Sequence, residues 1–212
     1  MVSVIIRNHN EREYIGFAIQ SVLDHLPDAE LIIIDDNSTD DSLEVVKLFN
    51  NRGNIKVTSI EDYTPGKALN YGAQIASYET LLILSAHSQI MQMDIDYVKS
   101  RLKTYSAVFG NQTPIYRGKK ISKRYIWSHF TAEEEVVNMW SDIEDRPFLH
   151  NAFCFYNRQD LLDNPFDETL PGKEDRYWAI DITAKNKSYL YSPSIGVNHY
   201  YTGNGATWKG LG

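Results

Sequence analysis

The chain has 212 residues, 42% hydrophobic and 23% charged, with a formal net charge of -7 at pH 7. That length and mix suit one soluble α/β domain, and the acidic balance excludes a general nucleic-acid binder, which needs surplus Lys and Arg against phosphate. Cys154 is the single cysteine, so no internal disulfide forms; no apolar run approaches the ~18 residues of a membrane span, and no signal peptide precedes the first strand, so a cytoplasmic protein is expected.

Val2 to Ile6 is a short apolar strand that ends at the polar turn Arg7-Asn8-His9-Asn10. Ile15, Ala18, Ile19, Val22, Leu23 and Leu26 then recur at helical spacing, an apolar stripe closed by Pro27 and Asp28. Leu31 to Ile34 reads as a strand buried on both faces, so this opening predicts a right-handed βαβ unit with parallel strands. The second strand stops at Asp35 and Asp36. Ser38 and Asp41 have capping-box spacing, which predicts a helix starting there. Acids between a strand end and a helix lie at the carboxyl edge of the sheet, where open α/β sheets bind ligands. Helix capping accounts for Asp40 and Asp41 but poorly for Asp35 and Asp36, which suit a nucleobase, a ribose hydroxyl or a metal ion.

Leu43, Val46 and Phe49 predict a second helix, closed by Asn50 to Gly53, and Ile55 to Ile60 a shorter strand. Thr64-Pro65-Gly66 turns into a third helix, from Lys67 to about Ser77. Leu81 to Leu84 is another buried strand, ending in Ser85-Ala86-His87. This alternation predicts an α/β fold with a mostly parallel sheet flanked by helices, in a single domain. Further on, the pattern predicts a helix over Tyr97–Tyr105, a strand over Ala107–Gln112 and a basic run from Arg117 to Arg124. A helix from Tyr125 to about Trp140 follows, carrying Trp127, Phe130, Val137 and Trp140; these side chains suit either core packing or, through their aromatic faces, a sugar cleft. Phe148 to Tyr156 reads as a strand, Gly172 to Asp175 as a helix entry, and Tyr189 to His199 as short extended pieces around Pro193.

Val4-Ile-Ile-Arg-Asn-His-Asn-Glu11, Ile33-Ile-Asp-Asp-Asn-Ser-Thr-Asp40, Gly66-Lys-Ala-Leu-Asn70, Asn164-Pro-Phe-Asp-Glu168 and Gly172-Lys-Glu-Asp-Arg-Tyr-Trp-Ala179 occur in that order. On these strings nearly the whole chain resembles the GT-A-fold glycosyltransferases of family 2. The resemblance implies a Rossmann-like GT-A domain over 1–212, with a nucleotide-binding half at 1–90 and an acceptor-binding half at 91–212. It implies inverting transfer of a sugar from a nucleotide donor, a UDP-sugar, to a glycan or lipid-linked acceptor in bacterial surface polysaccharide synthesis. Peripheral contact with a membrane-bound acceptor at the inner face follows from the same resemblance. Arg7, Asn8 and Asn10 with Asp35 and Asp36 would hold base and ribose, Lys67 would approach the base or diphosphate, and Ser85 would line the donor site. Asp175 matches the acid that takes the acceptor's proton, with Glu174 beside it, and His199 a position that ligates a metal.

The family places Asp-x-Asp where this chain has Ser85-Ala86-His87, so His87 stands for the direct metal ligand. Imidazole binds Mn²⁺ or Zn²⁺, whereas Mg²⁺ prefers oxygen, so a divalent cation, Mn²⁺ or Mg²⁺, on His87 and His199 is one expectation. Neutralisation of the diphosphate by Lys67, Arg158 or Lys209 is the other. A catalytically degenerate nucleotide- or glycan-binding relative is the alternative function. A sugar-phosphate nucleotidyltransferase would need a glycine-rich loop after the first strand, where this chain has Arg7-Asn-His-Asn10. Trp208 and Lys209 are candidates for a lid, or for a frayed terminus.

Overall fold

The computed structural model describes residues 1–121, 125–203 and 205; Lys123 and Arg124 of the basic run, and Trp208 and Lys209, lie outside the described residues. The first half alternates as the periodicity predicts: β1 (Ser3–Asn8), α1 (Ile15–His25), β2 (Glu30–Asp35), α2 (Ser42–Lys47), β3 (Asn54–Ser59), α3 (Pro65–Ile75) and β4 (Thr80–Ser85). The four strands are parallel in the order β3-β2-β1-β4. Strand alternation divides the core into two layers. Ile5, Ile32 and Ile34 pack toward Ala68 and Leu69 of α3, while Val4, Ile6, Leu31 and Ile33 pack toward Ile15 and Ile19 of α1. Gly72 lets α3 lie close on β1, since a Cβ there would meet Ile5 Cγ2 at 2.7 Å. Register sets Asn8 opposite Asp35 and Arg7 opposite Ser85, so three strands end along one edge.

The second half contains β5 (Ser88–Gln92), α4 (Ile95–Arg101), β6 (Ala107–Tyr116), β7 (Lys119–Lys120) and a 3-10 segment, Tyr125–Thr131. It continues through β8 (Val136–Val137), β9 (Trp140–Ser141), β10 (Arg146–Pro147), β11 (Phe153–Asn157), α5 (Arg158–Asp163), α6 (Glu174–Ala184) and β12 (Tyr189–Tyr200). The sheet runs β3-β2-β1-β4-β11-β6-β12-β5. β11 is antiparallel to both β4 and β6, and β12 is parallel to β6, so a mixed region extends the parallel one.

Several sequence expectations change here. Helix α2 starts at Ser42 rather than at Ser38, because the Ser38 hydroxyl donates to Asp35 Oδ1 (2.6 Å) instead of capping. The helix predicted over Tyr125–Trp140 stops at Thr131; Val136 and Val137 pair with Tyr191 and Leu190 of β12, a cross-strand partner that local periodicity does not reveal. Trp127 and Phe130 are buried, while Val137 and Trp140 are exposed. The strand predicted from Phe148 starts only at Phe153. The extended pieces around Pro193 are one strand, β12, whose register slips between Ser192 and Gly196 against β6. Helix α4 starts two residues before Tyr97, capped by the Asp94 carboxylate, which accepts the Tyr97 N–H (2.9 Å). Among the described residues no helix is long and apolar enough to cross a membrane.

Candidate active site

The edge formed by β1, β2 and β4 carries two kinds of polar residue. Asn8 and Asp35 are buried and face each other: Asn8 Nδ2 reaches Asp35 Oδ1 (2.7 Å), Ser42 Oγ (2.9 Å) and Ser38 Oγ (3.0 Å). Asn10 accepts the Thr39 N–H (2.7 Å) on its side-chain oxygen. Asn8, Asn10 and Asp35 therefore latch two loops together. Asp36, one residue beyond the strand, instead lines a cavity of about 250 Å³ with Arg7, His9, Tyr63, Ser85 and His87. Lys67 is not among the lining residues; its Nζ donates to the carbonyl of Glu61 (2.7 Å). Arg158 is placed even further off. It follows β11 beside the start of β4, at the opposite edge of the sheet, and donates to the Ala73 and Gln74 carbonyls at the end of α3.

A second hollow of about 100 Å³ shares Arg7, Ser85, His87 and Asn151 with the first and adds His150, Glu174, Asp175 and His199. The two form one continuous cleft. A larger hollow of about 620 Å³ on the far side of Glu11 takes in Asn10 but none of the other candidate residues. Glu174 and Asp175 open helix α6, where the helix dipole favours negative charge. Asp175 Oδ1 accepts the Arg176 N–H (2.8 Å), and Oδ2 accepts the Asn151 N–H (2.9 Å) and Arg176 Nη1 (2.9 Å). A carboxylate has about four acceptor directions, so one on Oδ1 remains for an incoming hydroxyl. Glu174 lies 3.2 Å from Arg7. Burial pushes its carboxyl upward, Arg7 opposes this and Asp175 adds to it.

Three imidazoles complete the cleft. The His150 Nδ1 accepts the Ala152 backbone N–H (3.2 Å), so that nitrogen carries no proton. Gln112, 3.1 Å away, must then present its NH₂ to His150, which turns Gln112 Oε1 toward His199 Nδ1 (2.9 Å). His199 therefore bears its proton on Nδ1 and its lone pair on Nε2. Burial first, then Arg176 for His150 and His87 for His199, holds both rings well below the ordinary histidine value and so neutral. His87 Nδ1 donates to Glu11 Oε1 (3.1 Å), and its Nε2 lies 3.1 Å from Ser85 Oγ. The His87 and His199 rings stack with centroids 4.9 Å apart. Histidine metal ligands characteristically donate their other ring N–H to an outer partner, as Glu11 and Gln112 accept here. Among the described residues no group of three or more His, Cys, Asp or Glu is placed to hold an ion. Two imidazoles alone do not complete a coordination shell, so a cation here would have to take its remaining ligands from a bound molecule.

Sequence reasoning gave no role to Glu11, Tyr63, Gln112 or Arg176, all of which contact cleft residues. Glu11 sits within a motif string, and Arg176 directly follows the acidic pair; Tyr63 and Gln112 carry no local signal.

Fold and cleft together define an α/β protein with its ligand site at the strand ends. A family model described as glycosyl transferase family 2 matches residues 3–163, and the chain belongs to that family. The minor teichoic acid biosynthesis protein GgaA of Bacillus subtilis (strain 168) is 29% identical over 199 residues, 89% of this chain and 44% of that protein. The GalNAc(5)-diNAcBac-PP-undecaprenol beta-1,3-glucosyltransferase of Campylobacter jejuni is 25% identical over 195 residues, 90% of this chain and 62% of that protein. The chain thus spans less than two thirds of either relative. Among solved structures, S. aureus TarS 1-349 in complex with UDP-GlcNAc matches with a TM-score of 0.73 at 22% identity, covering 96% of this chain and 59% of that one. GalNAc-T7 with UDP, GalNAc and Mn²⁺ matches with a TM-score of 0.69 at 20% identity, covering 95% and 44%. These likenesses identify the fold as GT-A.

Proposed function

We propose that this chain is the catalytic domain of an inverting glycosyltransferase that takes its sugar from a UDP-sugar and passes it to a hydroxyl of a bacterial surface glycan or lipid-linked acceptor. The observation that carries this reading is the single cleft in which Asp36 and Arg7, from the first half, meet Glu174 and Asp175, from the second. Residues 1–90 bind the nucleotide and 91–212 the acceptor, with no nucleic acid as partner. Asp36 accepts hydrogen bonds from the nucleoside, while Asn8, Asn10 and Asp35 hold its loop in place. Arg7 faces the diphosphate, and Ser85 lines its path. The acceptor oxygen bonds to the anomeric carbon as the bond from that carbon to the diphosphate oxygen breaks, and the electron pair leaves with the nucleoside diphosphate. The acceptor's proton goes to Asp175 Oδ1. His87 and His199 would hold a divalent cation; when bound, it supplies positive charge to the leaving diphosphate, and two imidazole ligands suit Mn²⁺ better than Mg²⁺. A location at the inner face of the cytoplasmic membrane agrees with a lipid-linked acceptor.

Donor hydrolysis measured with and without EDTA tests the reading. UDP released from UDP-GlcNAc or another UDP-sugar, lost with EDTA and restored better by Mn²⁺ than by Mg²⁺, is the expected result. Hydrolysis that survives EDTA removes the cation from the account. Binding of UDP without any turnover favours the degenerate relative, which the Ser85-Ala86-His87 string keeps in view.

A further inference from the structure

Behind Asp175 lies a charged pair that the reaction described above does not use. Arg176 is 1% exposed, and its Nη1 donates both to Asp175 Oδ2 (2.9 Å) and to the Leu149 carbonyl (2.8 Å). Its guanidinium carbon sits 4.4 Å from the centre of the Phe148 ring, which fixes the plane of the group. On the far side, Nη2 faces Glu144 Oε1 at 3.8 Å. Glu144 lies in the turn between β9 and β10, also 3.3 Å from Arg146 Nε, and Arg146 in turn lies over Tyr177 of α6. The hairpin is thereby clamped to the helix that carries the acidic pair.

The Glu144 side chain is 5% exposed, yet neither of its oxygens accepts a hydrogen bond among the described residues. A buried carboxylate without hydrogen bonds destabilises a fold. Its position makes sense as charge. Arg176 alone would place an uncompensated positive charge 2.9 Å from the group proposed to receive a proton, which opposes that transfer. A second carboxylate on the far side of the same guanidinium offsets the effect while leaving the arginine's grip intact.

We propose that Arg176 is the positioning residue for Asp175, and that Glu144 balances the Arg176 charge so that Asp175 stays basic enough to take a proton. The proposal rests on Asp175 being the base. Arg176 holds the carboxylate through Oδ2 and its own backbone N–H, which leaves the remaining acceptor direction on Oδ1, and Glu144 acts on it from behind. The other charged or titratable groups facing Asp175 are Glu174 on its own helix, Arg7 on β1, and Cys154 and Tyr156 on β11.

The test reads Asp175 directly by carbon-13 NMR of the side-chain carboxyls across pH, with its signal assigned by its loss in Asp175→Asn. Glu144→Gln should move the Asp175 midpoint to lower pH, and Arg176→Met should move it to higher pH. A purely structural role predicts no such opposed pair. In UDP-GlcNAc hydrolysis, Glu144→Gln should lower kcat several-fold with the donor KM unchanged, and Glu144→Asp should recover part of the loss. An Asp175 midpoint that Glu144→Gln leaves unmoved, in a protein folded by circular dichroism, overturns the proposal even if Arg176→Met does not fold. Wild-type hydrolysis rates in Asp175→Asn would overturn the base assignment instead, and the NMR midpoints would still decide whether the charges are coupled.

Discussion

Glu30 and Glu144 are buried carboxylates in opposite halves of the molecule. Glu30, on β2, receives Ser3 Oγ (2.5 Å), Ser77 Oγ (2.9 Å), the Ser77 backbone N–H and Lys56 Nζ (3.2 Å). Glu144 receives no hydrogen bond among the described residues and has only guanidinium charge beside it. The contrast extends to the surroundings. In the parallel half Glu30 is hydrogen-bonded on both oxygens, and Asp36, Ser85 and His87 line a cavity at the strand ends. The mixed half packs two neutral histidines, a buried arginine and a raised Glu174 around Asp175. A fully hydrogen-bonded carboxylate such as Glu30 suits the fixed nucleotide geometry proposed for the first half. Tension between charges suits the proton transfer proposed for the second half.

The largest expected effect breaks the second half's role alone. Asp175→Asn removes the proton acceptor and almost no volume, so kcat for donor turnover should fall by about 10²–10⁴-fold while UDP affinity by calorimetry stays unchanged. A matching loss of UDP affinity would merge the two roles. The mirror experiment acts on the first half: Asp36→Ala should weaken UDP binding by about 1–3 kcal/mol, since a donor group of the ligand loses its partner. An unaltered dissociation constant would remove Asp36 from the nucleotide site.

A smaller effect separates the halves by pH. The folded-state values of His150 and His199 lie below 6.5, so the unfolded chain binds more protons there and stability is lost as pH falls below 6.5. The Glu30 carboxyl is held below its ordinary value of 4.5, its serine and lysine hydrogen bonds outweighing the opposing effect of burial. Its contribution is therefore complete above pH 4.5 and is lost only as pH falls further. Glu174, raised above 4.5, works the other way and partly offsets the histidine loss near its own titration. Thermal melts from pH 8 downward should show melting temperatures declining first below about pH 6.5, in the range set by the histidines. A flat profile down to pH 5 would show that the second half is not the acid-sensitive one.

The same division governs what the sequence made legible. β2 and β4 read correctly because Leu31 to Ile34 and Leu81 to Leu84 are buried on both faces, which leaves a continuous apolar run. Their ends therefore place Asp36, Ser85 and His87 at one edge of the sheet, where all three line the same cavity. Asp35 and Asp36 look alike in sequence. The difference between them arises from the turn of the chain, which sends Asp35 inward to Asn8 and Ser38. The Tyr125–Trp140 stretch misled because its helical spacing is real, while the pairing of Val136 and Val137 comes from β12, over fifty residues later. Gln112 and Glu144 reach the site through long-range packing, and no local motif marks them. The motif around Lys67 points it to the site, yet its ammonium group turns back to the Glu61 carbonyl.

The most direct measurement of the central account is proton NMR of UDP-GlcNAc turnover by this chain, recorded before the released sugar equilibrates between anomers. UDP-GlcNAc carries an α-linked sugar, and a single displacement assisted by Asp175 predicts that the first product signal is the β anomer, absent in Asp175→Asn. An α product, or equal turnover by the two proteins, would contradict the account.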